Sequence, residues 1–237
     1  MVIITPLSAI HAELITHDNI QMMIGRDLIS SQVAPNFVMR WFQLLPTGHT
    51  SYHHHSEEHQ LYLLKGKLRL KVAHIADLTL QEGNFCFVAA EEPHAFYNLE
   101  DQPAEFLFVS PKVSNPTPSN LVNPRLLHIN YDQVSATPVT DFGSTRTTIR
   151  VFIDKKLGSA FIMRRFEIQP GGHIGIHAHA WEHEMFFLSG TTQLLDDTGQ
   201  IGSAQENTFV YMPPDHPHGY KNVGVTPVSF ICIIPNI

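Results

Sequence analysis

Charged side chains are scarce in this sequence. They make up 16% of the 237 residues, and 22 acidic residues outnumber 15 lysines and arginines. The resulting formal charge of -7 leaves no basic footprint for nucleic acid, so no nucleic-acid partner is expected. Hydrophobic residues, at 43%, still supply material for a sizeable core, which argues against a disordered chain. Long apolar runs are missing: none approaches the roughly 18 residues of a membrane span, and no membrane partner is expected. The N-terminus, MVIITPLSAIHAELITHDNI, has no basic region ahead of a long apolar stretch, so no secretory signal is expected either. Cysteine is nearly absent. Cys86 and Cys232 each sit inside an apolar run and read as reduced core thiols of a cytoplasmic protein rather than a disulfide framework. Sustained helical periodicity is also missing. Short aromatic and β-branched segments such as FVMRWFQL, NFCFVAA and VSFICIIP alternate with Gly, Pro, Asn and Asp, which predicts an all-β sandwich or barrel.

Histidine is abundant: its 16 copies exceed the lysines and arginines together, which points to metal binding or proton chemistry. The histidines are also duplicated. His53, His55, His59 and His94 recur as His177, His179, His183 and His218, each 124 positions later (177 − 53, and likewise for the others). The same offset relates Arg40 to Arg164, Gly48 to Gly172, Gly66 to Gly190, Pro93 to Pro217, Asn98 to Asn222 and Phe106 to Phe230. One such pair means little, but a run of them at one offset means duplication. The expected organisation is an N-terminal barrel with an arm over residues 1–113, a linker over 114–124 and a C-terminal barrel over 125–237. The linker reading rests on the Pro-, Asn- and Ser-rich stretch KVSNPTPSNLVNP. Residues 1–35 repeat less cleanly and are expected to supply edge strands.

On a strand, alternate side chains share a face, so His177 and His179 project into one space and His183 keeps the same parity. His218 returns after a strand and a Pro-rich turn. His53, His55, His59 and His94 repeat the arrangement. Imidazole suits Mn, Fe or Ni, with Zn or Cu as alternatives, and two divalent ions per chain are expected. Four neutral imidazoles leave the 2+ charge uncompensated, which favours an anionic co-ligand and fits a six-coordinate ion with two open positions. A closed tetrahedral zinc site is the other arrangement such residues form.

These residues resemble the two signature motifs of the cupin superfamily. The first stands here as GHTSYHHHSEEHQLYLLKG and GHIGIHAHAWEHEMFFLSG, the second as PHAFYN and PHGYKN. Many cupins carry glutamate where this chain has His59 and His183, so the resemblance is nearest to the small tetra-histidine members. It implies two tandem double-stranded β-helix (jelly-roll) barrels with a metal inside each. The two copies differ at Glu57 and Trp181, so their pockets should differ in polarity.

Strand parity also aims Phe96, Phe106, Tyr220 and Phe230 toward the metals, as substrate-pocket lining or as core. Arg40 and Arg164 either reach inward to hold a carboxylate or form rim salt bridges. Cys232 either faces the second metal or is an inert thiol. His54, Glu58 and Glu182 have the opposite parity and should point away; His49 and His173 read as turn residues. No catalytic residue is assigned. The resemblance implies a metal-dependent dioxygenase or other oxygenase acting on a small enolic, carboxylate or aromatic substrate. The alternatives are a metal-dependent isomerase or lyase, or a non-catalytic small-molecule-binding protein. Open sheet edges need cover, and single-domain relatives pair, so an intramolecular pseudo-dimer is expected, with further homodimerisation open.

Overall fold

The computed structural model describes residues 1–17, 19–112, 125–157 and 159–236; the expected linker 114–124 lies outside them. The described residues form β-strands and short 3-10 turns, as the alternating pattern requires. In the strand Lys67–Val72, Lys67, Arg69 and Lys71 are exposed while Leu68, Leu70 and Val72 are buried, the pattern of a sheet wetted on one side. Asn84–Val88 and Thr208–Met212 are buried at every position, which explains their continuous apolar runs. No helix among the described residues is long and apolar enough to cross a membrane.

The strands form two curled sheets with matching order. In one, Ile3–Pro6, Thr208–Met212, His183–Ser189, Val228–Pro235, Phe161–His177, His218–Asn222, Thr191–Asp196 and Gly199–Gln205 are neighbours in that sequence. In the other the order is Leu126–Asn130, Asn84–Val88, His59–Lys65, Ala104–Pro111, Phe37–Thr50, His94–Tyr97, Lys67–Val72 and Leu78–Gln81. Each sheet encloses its own apolar core. Leu63, Leu70, Phe96 and Phe106 are central to the N-terminal one, and Phe187, Leu194, Tyr220 and Phe230 to the C-terminal one. Gly66 and Gly190 close equivalent hairpins at φ 81° and 78°. A Cβ there would also meet the carbonyl oxygens of Pro103 and Pro227 at 2.8 and 2.6 Å, so both reasons demand glycine.

The compact units are not the two halves of the sequence. One comprises residues 1–10, 134–154 and 161–237; the other comprises 11–133 and 155–160. They differ from the barrels expected over 1–113 and 125–237 because each sheet takes its outer strand from the other copy. Ile3–Pro6 pairs with Thr208–Met212, and Leu126–Asn130 pairs with Asn84–Val88. The two pairings are equivalent: Ile3 faces Tyr211 and Leu127 faces Phe87, both displaced by the same offset (127 − 3 and 211 − 87). Glu13–His17 and Ile20–Asp27 likewise precede the long strand Phe37–Thr50 as Thr137–Pro138 and Thr145–Val151 precede Phe161–His177. The duplication therefore extends through residues 1–35, where backbone pairing persists although few residue identities do, Arg26 with Arg150 and Ile29 with Ile153 among them. Residues 155–160 join the N-terminal sheet through Ser159, whose hydroxyl donates to the buried Glu58 carboxylate and accepts from the Gln60 amide at 2.7 Å.

Candidate metal centres

Seven of the eight histidines come together in two groups, His177, His179, His183 and His218 in one and His53, His55 and His94 in the other. His177 ends the long strand Phe161–His177 and is in register with His218, the first residue of its strand. His183 opens His183–Ser189, and His179 lies in the turn between. His53 and His94 mirror the His177–His218 pair, exchanging backbone bonds of 3.1 and 2.9 Å. The ligand nitrogens of His177, His179, His183 and His218 all lie within 4.8 Å of one another.

Backbone carbonyls fix the tautomers. A carbonyl only accepts, so each imidazole facing one at Nδ1 must carry its proton there. Nδ1 of His177 donates to Gly175 at 2.9 Å, that of His179 to Trp181 at 2.9 Å and that of His218 to His216 at 2.7 Å. In the other barrel, His53 donates to Ser51 at 2.7 Å, His55 to Glu57 at 2.6 Å and His94 to Glu92 at 2.8 Å. Every Nε2 of these six rings is then a bare lone pair, and such outer bonds are how proteins orient metal-binding histidines. Nε2 of His55 and of His218 is buried without a hydrogen-bond partner. The Nε2 atoms of His179 and His183 are 2.5 Å apart, a contact that needs a proton or a cation between them. The donor set thus fits a divalent transition-metal ion: neutral nitrogens, converging, with no carboxylate among them.

Burial holds these imidazoles neutral. It pushes His94 and His218 from 6.5 down to about 4, and it is the leading cause of lowered values at His55, His179, His59 and His183. A histidine that titrates lower when folded than when unfolded favours folding above pH 6.5, and that contribution is lost as the pH falls toward 4. Metal-free protein should therefore lose about 3 kcal/mol of stability for each of His94 and His218 over that window. Denaturant unfolding at pH 7, 5.5 and 4.5 measures this; equal stability at the three values would contradict it. The same protons compete with metal, so occupancy should fall over the same range.

The two centres differ. His59 lies outside the group formed by His53, His55 and His94, because its ring stacks on His55 with centroids 3.5 Å apart. Its Nδ1 is buried without a partner, and the Phe108 ring packs against it at 4.2 Å. His183 instead sets Nδ1 3.1 Å from Cys232 Sγ, which also accepts from Arg164 Nη2 at 3.1 Å. Cys232, buried and free, is therefore in contact with a candidate ligand. Arg40, the counterpart of Arg164, is bound through Nε to the exposed Asp27 at 2.8 Å, the rim arrangement. His54, expected to point away, pairs with Glu91 at 3.0 Å on the surface. Phe96, Phe106, Tyr220 and Phe230 are all buried inside their barrels.

A cavity of about 570 Å³ opens onto the C-terminal histidines, lined among others by Arg164, Tyr220, Phe230, Trp181 and Cys232. Trp181 lies flat on His179 and Phe142 flat on His177, with centroids 4.3 and 4.2 Å apart and interplanar angles of 6°. Phe142 was not legible as a site residue. It lies on a turn at φ 57°, brought close by the backbone approach to Gly175, and no local pattern signals it.

The family profile described as Cupin domain matches residues 40–110 and again 164–234. No curated protein sequence matches significantly. Among solved structures, a Pseudomonas aeruginosa protein provisionally described as glyoxylate induced superposes with a TM-score of 0.84 at 16% identity, covering 98% of this chain and 87% of its own. The E. coli protein Ylba gives 0.81 at 16% identity, with 99% and 90% covered. A mutant of the Bacillus subtilis oxalate decarboxylase gives 0.74 at 16%, with 98% and 77% covered. At such identities the likeness is one of fold.

Proposed function

This chain belongs to the Cupin domain family, with one domain match in each half, and from that premise we propose that it is a metal-dependent oxygenase acting on a small enolic, carboxylate or aromatic substrate. The supporting observation is the C-terminal centre, where four converging imidazoles lie beside a cavity of about 570 Å³. A redox-active divalent ion such as Mn or Fe would supply Lewis acidity and electron transfer there. The protein's own part is to orient and to exclude water. The carbonyls of Gly175, Trp181 and His216 hold three rings in one tautomer. Trp181 and Phe142 cover the outer faces of His179 and His177. Phe166, Met185 and Phe230 give the cavity an apolar wall suited to an aromatic or enolic body. Two free, buried thiols support the accompanying proposal of a cytoplasmic setting.

A metal-dependent lyase or isomerase is the second reading, favoured by Tyr220. Burial pushes its phenol well above its ordinary value, so it keeps its proton, and its hydroxyl is without a partner beside the histidines. A phenol so placed can hydrogen-bond to, or protonate, a developing enolate. The fold neighbours that act on oxalate accord with this second reading.

Full-length protein reconstituted with Mn, Fe or Ni and offered enolic, carboxylate and aromatic compounds separates the two. Oxygen uptake that matches substrate loss is the expected result. Turnover that continues without oxygen would replace the oxygenase by the lyase or isomerase. Absence of turnover in either atmosphere would leave a binding protein and overturn both.

A further inference from the structure

The offset that relates the two copies also shows how their interiors have diverged. Phe96 corresponds to Tyr220, Phe108 to Cys232 and Glu57 to Trp181. The N-terminal interior is phenyl on phenyl: Phe42 meets Phe106 and Phe108, each at 5.6 Å, and Phe106 meets Phe96 at 6.4 Å. Its arginine is already neutralised outside by Asp27. The C-terminal interior gains polar groups, and they are of one kind. Trp181 Nε1 can only donate, Tyr220 keeps a hydroxyl proton, and Arg164 carries a fixed positive charge. Nε of Arg164, Nε1 of Trp181 and the Tyr220 hydroxyl are buried, and none has a hydrogen-bond partner among the described residues.

Arg164 is held for a purpose other than an ion pair. Its Nη2 donates to Cys232 Sγ, its guanidinium lies over Phe166 at 5.3 Å from the ring centre, and no carboxylate lies within salt-bridge distance among the described residues. Of the cavity-lining residues the acidic one is Asp141, which is exposed on its turn. A cation and two donors facing an apolar cavity leave acceptors and a negative charge to be supplied by the occupant.

We propose that the C-terminal cavity binds one organic carboxylate with a flat apolar body per chain, its carboxylate taken by Arg164 with Tyr220 and Trp181 as hydrogen-bond donors, and that the N-terminal centre binds none. This names the substrate class of the site described above, and it rests on that reading in making the C-terminal centre the working one. Cys232 serves by its size: the phenyl ring that stands at its equivalent, Phe108, presses on His59 where an occupant would lie.

Benzoate is a suitable probe, with benzamide as its neutral counterpart. Calorimetric titration of the full chain, metal-loaded and metal-free, should give about one benzoate site per chain and benzamide binding weaker by about tenfold or more. Arg164→Gln should weaken benzoate by about tenfold while leaving benzamide binding in place. Cys232→Phe should abolish both. Two benzoate sites per chain, equal binding of benzamide by the unaltered protein, or full benzoate affinity in Arg164→Gln would each overturn the proposal. The benzamide comparison needs no variant to fold. Metal content, measured separately, distinguishes the two readings. A chain that takes up no metal but still binds benzoate through Arg164 removes the metal centre and keeps this inference. A chain that loads metal and ignores benzoate does the reverse.

Discussion

Elemental analysis of the reconstituted chain should find about two divalent ions, and His177→Ala and His53→Ala should each lose about one of them. The expectation follows from tautomers. Both residues donate Nδ1–H to a carbonyl and so offer a bare Nε2 toward three other imidazoles or two. Removing one such nitrogen takes a bond from the ion and leaves the remaining lone pairs facing each other. The third ligand position should be unequal between the copies. His183→Ala should cost the C-terminal ion outright, because His183 stands in contact with His179 and is held by Cys232. His59→Ala should cost less, because the His59 ring stacks on His55 and lies outside its group. Equal loss at both positions would show that metal uptake swings His59 into place. Unchanged occupancy in all four variants would show that the histidines are not ligands.

Deleting residues 1–10 from the full chain should destabilise the C-terminal barrel, although those residues stand at the opposite end of the sequence. Ile3–Pro6 supplies the strand beside Thr208–Met212, and Val2 and Ile4 pack against the C-terminal core. Loss of the ladder bonds and of that apolar contact should cost about 2–4 kcal/mol. Each compact unit contains one tryptophan, Trp41 in one and Trp181 in the other. Fluorescence of a Trp41→Phe background therefore reports on the C-terminal unit alone. An unchanged melting midpoint after the deletion would mean that the strand contributes nothing. Separate expression of 1–118 and 119–237 carries the same logic further. The first piece lacks Leu126–Asn130 and the second lacks Ile3–Pro6, so neither should melt at the parent temperature.

The architecture was legible in the sequence, and so was the gathering of His177, His179, His183 and His218, whereas His59 does not join His53, His55 and His94. Alternation in segments such as Lys67–Val72 specifies strands because side-chain direction is fixed by a period of two. Alternation carries His177 to the end of its strand, but His179 lies in the turn beyond, so their meeting also depends on that turn. Gly66 and Gly190 mark the hairpins because their backbone conformation excludes a Cβ. These are local rules, satisfied within a few residues.

What the sequence did not carry is which surfaces meet across long separations. Residues 1–35 keep the pairing of the second copy with few of its residue types, since a backbone ladder asks only for N–H and C=O groups, and any strand with a suitable apolar face can supply them. Arg40 and Arg164 are the same residue at the same place on the same strand. One is paired because Asp27 stands beside it in register; the other has Val151 at that place and donates instead to Cys232, where the first copy has Phe108. His59 and His183 part company for the same reason. Sequence determined which groups each barrel has; the tertiary structure decided what each group faces, because the charge, orientation and availability of a side chain are properties of its neighbours in space.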